Sequence, residues 1–238
     1  MELIFSPGIL SGLDIQMIEN RARLIPAVSI LDRRLVKTTR FRDPRYLGDP
    51  INAVRLYNDF EVDELCVLDI GATRSGTIDF DYLEELVAEA FMPVSYGGGV
   101  SRVADAERLV QLGVEKVILS SHALLRRQLV REISDSLGAS STVVCVDVRK
   151  QPLDDSYIPY LSAGLNQGNV DLIEYLVEVQ EAGAGEIIVT DIERDGTMSG
   201  LNLPLIEELR RHVSVPLLFS GGTADISDYG RAVSLVMQ

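Results

Sequence analysis

The sequence predicts a parallel α/β protein of the (β/α)₈ TIM-barrel class, with a two-fold internal repeat and a last βα unit that is incomplete. Seven short runs rich in β-branched residues are almost continuously apolar, which is the mark of strands buried on both faces of a parallel sheet. Amphipathic helical stretches alternate with them, as in consecutive βαβ units. Two strand motifs recur at nearly one offset. Glu64-Leu-Cys-Val-Leu-Asp69-Ile70 aligns with Glu186-Ile-Ile-Val-Thr-Asp191-Ile192, 122 residues on, and Pro93-Val-Ser-Tyr-Gly-Gly98-Gly99 aligns with Pro216-Leu-Leu-Phe-Ser-Gly221-Gly222, 123 residues on. An open Rossmann-like sheet has one Gly-rich turn near its start and would not repeat it mid-chain, whereas two halves of four βα units would.

The expected strands, in order, are Leu24 to Ile30, Glu64 to Ile70, Pro93 to Gly99, Lys116 to Ser121, Thr142 to Val148, Glu186 to Ile192 and Pro216 to Gly222. Helical patterns run from Asp79 to Ala90, Val103 to Leu112, Asn169 to Ala182 and Leu203 to Arg211. No Pro/Ser-rich linker divides the chain, so residues 23–238 read as one barrel preceded by an N-terminal extension, residues 1–22. The eighth strand is unaccounted for: Val233 to Gln238 is a truncated unit or a poor strand, and the extension is the one other segment that could compensate.

Composition narrows the function. Of 238 residues 46% are hydrophobic, enough for a large core without staples. The net charge of −14 argues against nucleic acid or an anionic membrane as a partner. It leaves room for a small anionic substrate, because a phosphate site depends on local backbone dipoles. Cys66 and Cys145 lie inside apolar runs and read as core thiols in a reducing, cytoplasmic compartment, with no metal site and no cofactor implied. No stretch reaches the ~18 apolar residues that span a membrane, and Met1 to Gln16, with Glu2 and Asp14 and no basic lead, does not read as a signal peptide.

Gly97-Gly98-Gly99 ends one strand ahead of a helix starting near Val103, so bare backbone and free N–H groups could receive a phosphate, with Ser120 and Ser121 on the next strand adding hydroxyls. Ser220-Gly221-Gly222-Thr223 repeats the arrangement in the second half, and Asp195-Gly196 lies in the preceding loop. A tight βα loop explains either turn alone. Two turns related by the repeat suit a substrate phosphorylated at both ends. Barrel enzymes keep catalytic groups at strand C-termini, where Asp69, Asp147 and Asp191 stand. A buried carboxylate there needs a partner or a purpose, although Asp69 could equally hydrogen-bond a loop. His122 and His212 form no nucleophile pair, and His212 reads as solvent-facing.

The motifs Ile25-Pro26, Leu35-Val36-Lys37, Gly48-Asp49-Pro50, Asp63-Glu64-Leu65, Leu68-Asp69-Ile70, Gly97-Gly98-Gly99, Lys116-Val117, Gly183 to Ile187, Arg194-Asp195-Gly196-Thr197 and Ser220-Gly221-Gly222 resemble, in order and spacing from about Arg21 to about Ala232, the cyclase subunit of imidazole glycerol phosphate synthase. The resemblance implies a barrel that takes ammonia from a glutaminase at its N-terminal face and passes it up the axis to a bis-phosphorylated substrate. It implies two acid–base aspartates, on the first and fifth strands. Asp147 matches the fifth-strand one, but Ser29 stands at the first, and a hydroxyl is no general base near neutral pH. Lys37 matches the family's loop lysine, and Ser120 replaces its strand-four asparagine. Arg23, Glu64, Lys116 and Glu186 match the family's ring of gate charges at the other end of the barrel.

A kept gate with a lost aspartate is similar to a diverged branch found with surface-polysaccharide gene products, in which the ammonia serves a third enzyme that amidinates a sugar. Leu35 to Thr38, Tyr46, Gly48 to Ala53 and Glu61 to Glu64 carry that likeness. Two other readings stay open: a working cyclase of histidine biosynthesis, and a non-catalytic scaffold that activates a glutaminase.

Overall fold

The computed structural model describes residues 2–6, 23–152, 156–225, 227–228 and 230–232. All seven expected strands are present. With strands numbered along the chain, β1 is Glu2–Ser6 and β2 is Arg23–Leu31, followed by a hairpin of β3 (Arg34–Thr39) and β4 (Arg42–Gly48). Next come β5 (Leu65–Asp69), β6 (Val94–Gly97), β7 (Lys116–Leu119) and β8 (Thr142–Lys150). A second hairpin, β9 (Tyr157–Leu161) with β10 (Asn166–Gln167), precedes β11 (Glu186–Asp191) and β12 (Leu217–Ser220). Strands β2, β5, β6, β7, β8, β11 and β12 pair in that order, all parallel.

The alternation of side chains along these strands builds two cores. Ile25, Ala27, Cys66, Ile118, Val143, Cys145, Ile188 and Leu218 point into the bore. Residues of opposite parity, among them Val28, Val67, Tyr96, Val144 and Val189, face the surrounding helices. Those helices are α1 (Pro50–Asp59), α2 (Ile70–Ser75), α3 (Phe80–Ala88), α4 (Val103–Gln111), α5 (Ser121–Leu125), α6 (Gln128–Leu137), α7 (Leu172–Glu181) and α8 (Leu203–Leu209). Their starts follow local chemistry. The carboxylates of Asp49, Asp79 and Asp171 accept backbone N–H groups of α1, α3 and α7, and Pro50 opens α1 where its missing N–H costs nothing.

The eighth stave comes from the other end of the chain. Strand β1 lies antiparallel between β2 and β12, in register from Glu2 opposite Ala27 to Ser6 opposite Arg23, with Phe5 opposite Phe219. Seven parallel strands leave two raw edges, and β1 satisfies the backbone of both. Val233 to Gln238, the alternative source of an eighth strand, lies outside the described residues. Because β1 is paired on both sides, Ile4→Pro sets a residue without an N–H inside the ladder. It is expected to lower stability by about 1–3 kcal/mol, read as a drop in chemical-denaturation midpoint that Ile4→Val does not show.

The β3–β4 hairpin extends β2 past the barrel rim. The two-residue turns at its ends, Asp32-Arg33 and Arg40-Phe41, hold their residues at φ of 51°, 60°, 53° and 61°. That is the type I′ geometry ordinarily given to Asn-Gly. The tertiary contacts that hold it are strong ones. The Arg33 guanidinium pairs with Asp79 at 2.6 Å, and the Arg40 backbone N–H donates to the Asp195 carbonyl at 2.9 Å.

Candidate functional site

Strand parity brings a polar layer to the C-terminal mouth. Register places Thr190 beside both Asp147 and Ser220. Ser29, Ser120, Asp147, Thr190 and Ser220 all line one pocket, together with Lys37, Thr38 and Asp195 from the loops. Phe41 and Leu47 of the hairpin line it as well, so the hairpin roofs the site. Asp147 is buried, and burial first, then the negative charge of Asp195, pushes its carboxyl up to about 7. The Thr190 hydroxyl and the Cys145 thiol, whose sulfur lies 3.9 Å from Asp147 Oδ1, oppose the shift. Asp195 is 2% exposed and accepts the Thr38 hydroxyl at 3.2 Å. A carboxyl that exchanges its proton near neutrality, beside a second buried carboxylate and a lysine, is suited to general acid–base chemistry.

Of the residues singled out from the sequence, Ser29, Lys37, Asp147, Gly98, Ser120 and Asp195 meet at this pocket. Gly99, Ser121, Gly196, Gly221 and Gly222 are not in its lining. The Ser121 hydroxyl is engaged by the Ser162 N–H at 2.8 Å. The glycines have packing duties. A Cβ on Gly98 would lie 2.6 Å from the Asp69 carbonyl oxygen, and one on its repeat mate Gly221 would lie 2.6 Å from that of Asp191. Each Gly-rich turn therefore nests against the loop of the preceding strand, in both halves alike. Both aspartates hold local backbone: Asp69, which also lines the pocket, accepts the Ala72 N–H at 2.8 Å, and Asp191 accepts the Glu193 N–H at 3.1 Å and Asn202 Nδ2 at 2.6 Å. His212 is exposed. Ser220, named in the second Gly-rich turn, also lines the pocket, whereas Thr190 escaped the sequence reading, although its parity with Asp147 would have found it. Thr38 and Phe41 carried no signal of their own.

At the opposite end, four side chains close a cycle of ion pairs. Arg23 Nη1 meets Glu64 Oε2 at 3.2 Å, and Arg23 Nη2 meets Glu186 Oε1 at 2.8 Å. Lys116 Nζ sits 2.7 Å from Glu64 Oε2 and 3.1 Å from each Glu186 oxygen. The lysine and both glutamates are buried, and cations alternate with anions around the ring. Burial works against the Arg23 charge, but the Glu186 hydrogen bond and the charges of Glu186 and Glu64 outweigh it and raise its pKa. Immediately inside the ring is a crevice lined by Ile25, Cys66, Ser95, Val143 and Leu218. Ile118 borders both this crevice and the mouth pocket. Cys66 and Cys145 are free and buried, and burial raises both thiols, Cys66 to about 12, so neither is a ready nucleophile.

The fold and site define a (β/α)₈-type barrel with a polar mouth and a charged floor. Residues 23–236 match the family described as "Histidine biosynthesis protein", to which the chain belongs. Among its relatives is a Vibrio vulnificus protein provisionally named imidazole glycerol phosphate synthase subunit hisF3, 38% identical over 214 residues, covering 90% of this chain and 82% of that one. Imidazole glycerol phosphate synthase subunit HisF of Exiguobacterium sibiricum is 39% identical over 205 residues, covering 86% of this chain and 82% of its own. No helix among the described residues is long and apolar enough to cross a membrane.

Proposed function

We propose that this chain is a cyclase-subunit-like barrel that receives ammonia from a glutaminase at the face bearing Arg23, Glu64, Lys116 and Glu186. It delivers that ammonia through the bore to the mouth at Ser29 and Asp147, for amidination of a sugar by a further enzyme in surface-polysaccharide synthesis. The observation that carries the reading is the pairing of an intact charge ring with a mouth in which serine replaces one of two acid–base aspartates. A ring of buried charges with no role would be a poor stabiliser beside an apolar one of equal volume. The bore between ring and mouth is apolar, which suits neutral ammonia and excludes ammonium. Gly98, Ser120 and Lys37 at the pocket favour an anionic, phosphorylated ligand there.

One observation favours a second reading, that of a working cyclase. Asp147 sits with its carboxyl near 7 beside Asp195, so acid–base capacity survives the loss at Ser29. The two readings separate in a cyclase assay on the histidine-pathway substrate with ammonium chloride as nitrogen source. The wild-type chain is expected to turn over slowly, and Ser29→Asp to raise kcat by about 10²–10⁴. Wild-type turnover at an ordinary enzymatic rate, or rescue of a cyclase-deficient strain by the wild-type gene, would place the chain in histidine biosynthesis instead. Glutaminase stimulation without passage of ammonia would leave only the scaffold role.

A further inference from the structure

Charge is distributed unevenly along this acidic chain. Residues 32–49, the two turns and strands of the β3–β4 hairpin with the cap of α1, hold six basic and three acidic residues, a local +3. The remainder of the chain therefore carries −17, from −14 less +3. Strand β4 is the last of its sheet path, and residues 42–47 are all exposed, with Tyr46 at 66% and Leu47 at 55%. Arg33 and Arg40 are tied into the fold, but Arg34, Arg42 and Arg45 have no acidic partner among the described residues. The edge is not open to strand addition, because Pro44 lacks a donor and the register slips at two places, between Leu35 and Val36 and between Lys37 and Thr39. The surface is also pre-organised, since its turns sit in the left-handed region and are clamped there by Asp79 and Asp195.

We infer that this hairpin edge docks a partner protein with an acidic face over the barrel mouth, namely the enzyme that consumes the ammonia. The inference rests on the reading that ammonia leaves at the mouth. Exposed arginines around a tyrosine are the composition of an interface centre. A second copy of the chain fits poorly, because two bodies of −14 repel one another, and nucleic acid is repelled by the −17 elsewhere. A partner with an acidic rim is steered to this cationic edge and lands against the pocket exit.

The experiment uses the full chain with its glutaminase and, as probe, a purified sugar-amidating enzyme of surface-polysaccharide synthesis. Affinity is measured by calorimetry at low and high salt for wild type, for Arg34→Glu/Arg42→Glu/Arg45→Glu, and for Tyr46→Ala. The charge-reversed chain is expected to bind at least about 100-fold more weakly, with the salt dependence lost. Tyr46→Ala is expected to bind about 10-fold more weakly or worse. Unaltered melting temperature shows that the fold is kept. Binding of the charge-reversed chain within about twofold of wild type, absence of wild-type binding, or a change in self-association instead of partner affinity would each overturn the docking site. The same mixtures report on the underlying reading separately. Docking through the hairpin without glutamine-dependent amination sinks the ammonia route and leaves the interface standing. Coupled amination by the unbound charge-reversed chain does the reverse.

Discussion

Lys116→Met is expected to destabilise the barrel by about 3 kcal/mol and to uncouple glutamine hydrolysis from amination. The magnitude follows from the geometry of the ring. Lys116 contacts both glutamates, and the three side chains are only 7–11% exposed. Removing it leaves two buried carboxylates sharing Arg23, which is one-third exposed and reaches each of them through a single nitrogen. The cost is that of an uncompensated buried charge, which falls in the ~3–5 kcal/mol range when one partner of a buried pair is deleted. Glu64→Gln in the same chain should recover part of it, because the surplus charge is then gone. The functional readout is the ratio of glutamate released to product aminated, with glutaminase and acceptor enzyme both present. A ratio near one in wild type should rise in the variant, as ammonia leaks to solvent through an altered floor. An unchanged ratio with the fold intact would mean that ammonia does not travel this way.

The parts of this architecture that were legible in the sequence are those in which one stretch of chain dictates its own environment. A strand buried on both faces must be apolar throughout, so β2, β5, β6, β7, β8, β11 and β12 announce themselves. Glu64 and Glu186 at strand starts are conspicuous as charges opening apolar runs, and the repeat relates them. Strand β1 was not legible, because five residues with no alternation of their own become a strand only through β2 and β12 on either side. The hairpin over the mouth was missed for a second reason. Its turns use Asp-Arg and Arg-Phe where Asn-Gly would have signalled a reversal, and only the contacts of Arg33 and Arg40 hold them. The Gly-rich turns show the opposite ambiguity. Their sequence fits an anion cradle, and their packing against Asp69 and Asp191 fits a close backbone approach. One residue type meets both needs, so sequence alone does not separate them. Asp147 stood out as a carboxylate at a strand end, whereas Ser29 was found only through the resemblance that sets it where the family has an aspartate; both line the mouth pocket.

Asp147→Asn is expected to stabilise the protein at pH 8 while removing its acid–base chemistry. Burial, then the neighbouring charge of Asp195, lifts the Asp147 carboxyl from an ordinary value near 4 to about 7. The folded state thus binds this proton more tightly than the unfolded chain. This group's contribution to stability is fully present below about pH 4, where both states hold the proton, and is lost as pH rises from about 4 to about 7, where only the folded state holds it. Above about 7 the full penalty of an ionised buried carboxylate persists, of order 2–4 kcal/mol for a displacement of about three units. Asparagine keeps the shape and can still meet Thr190, yet carries no charge. Its melting temperature should therefore exceed wild type by about 5–10 °C near pH 8 and match it near pH 4. In the Ser29→Asp background, the same change should abolish the restored cyclisation by a factor of about 10²–10⁴, since the remaining carboxylate has no partner to return the proton. Equal melting temperatures at both pH values would show that Asp147 is comfortably ionised in the folded chain. It would then have no proton to exchange near neutrality, and the acid–base role would fall with the stability effect.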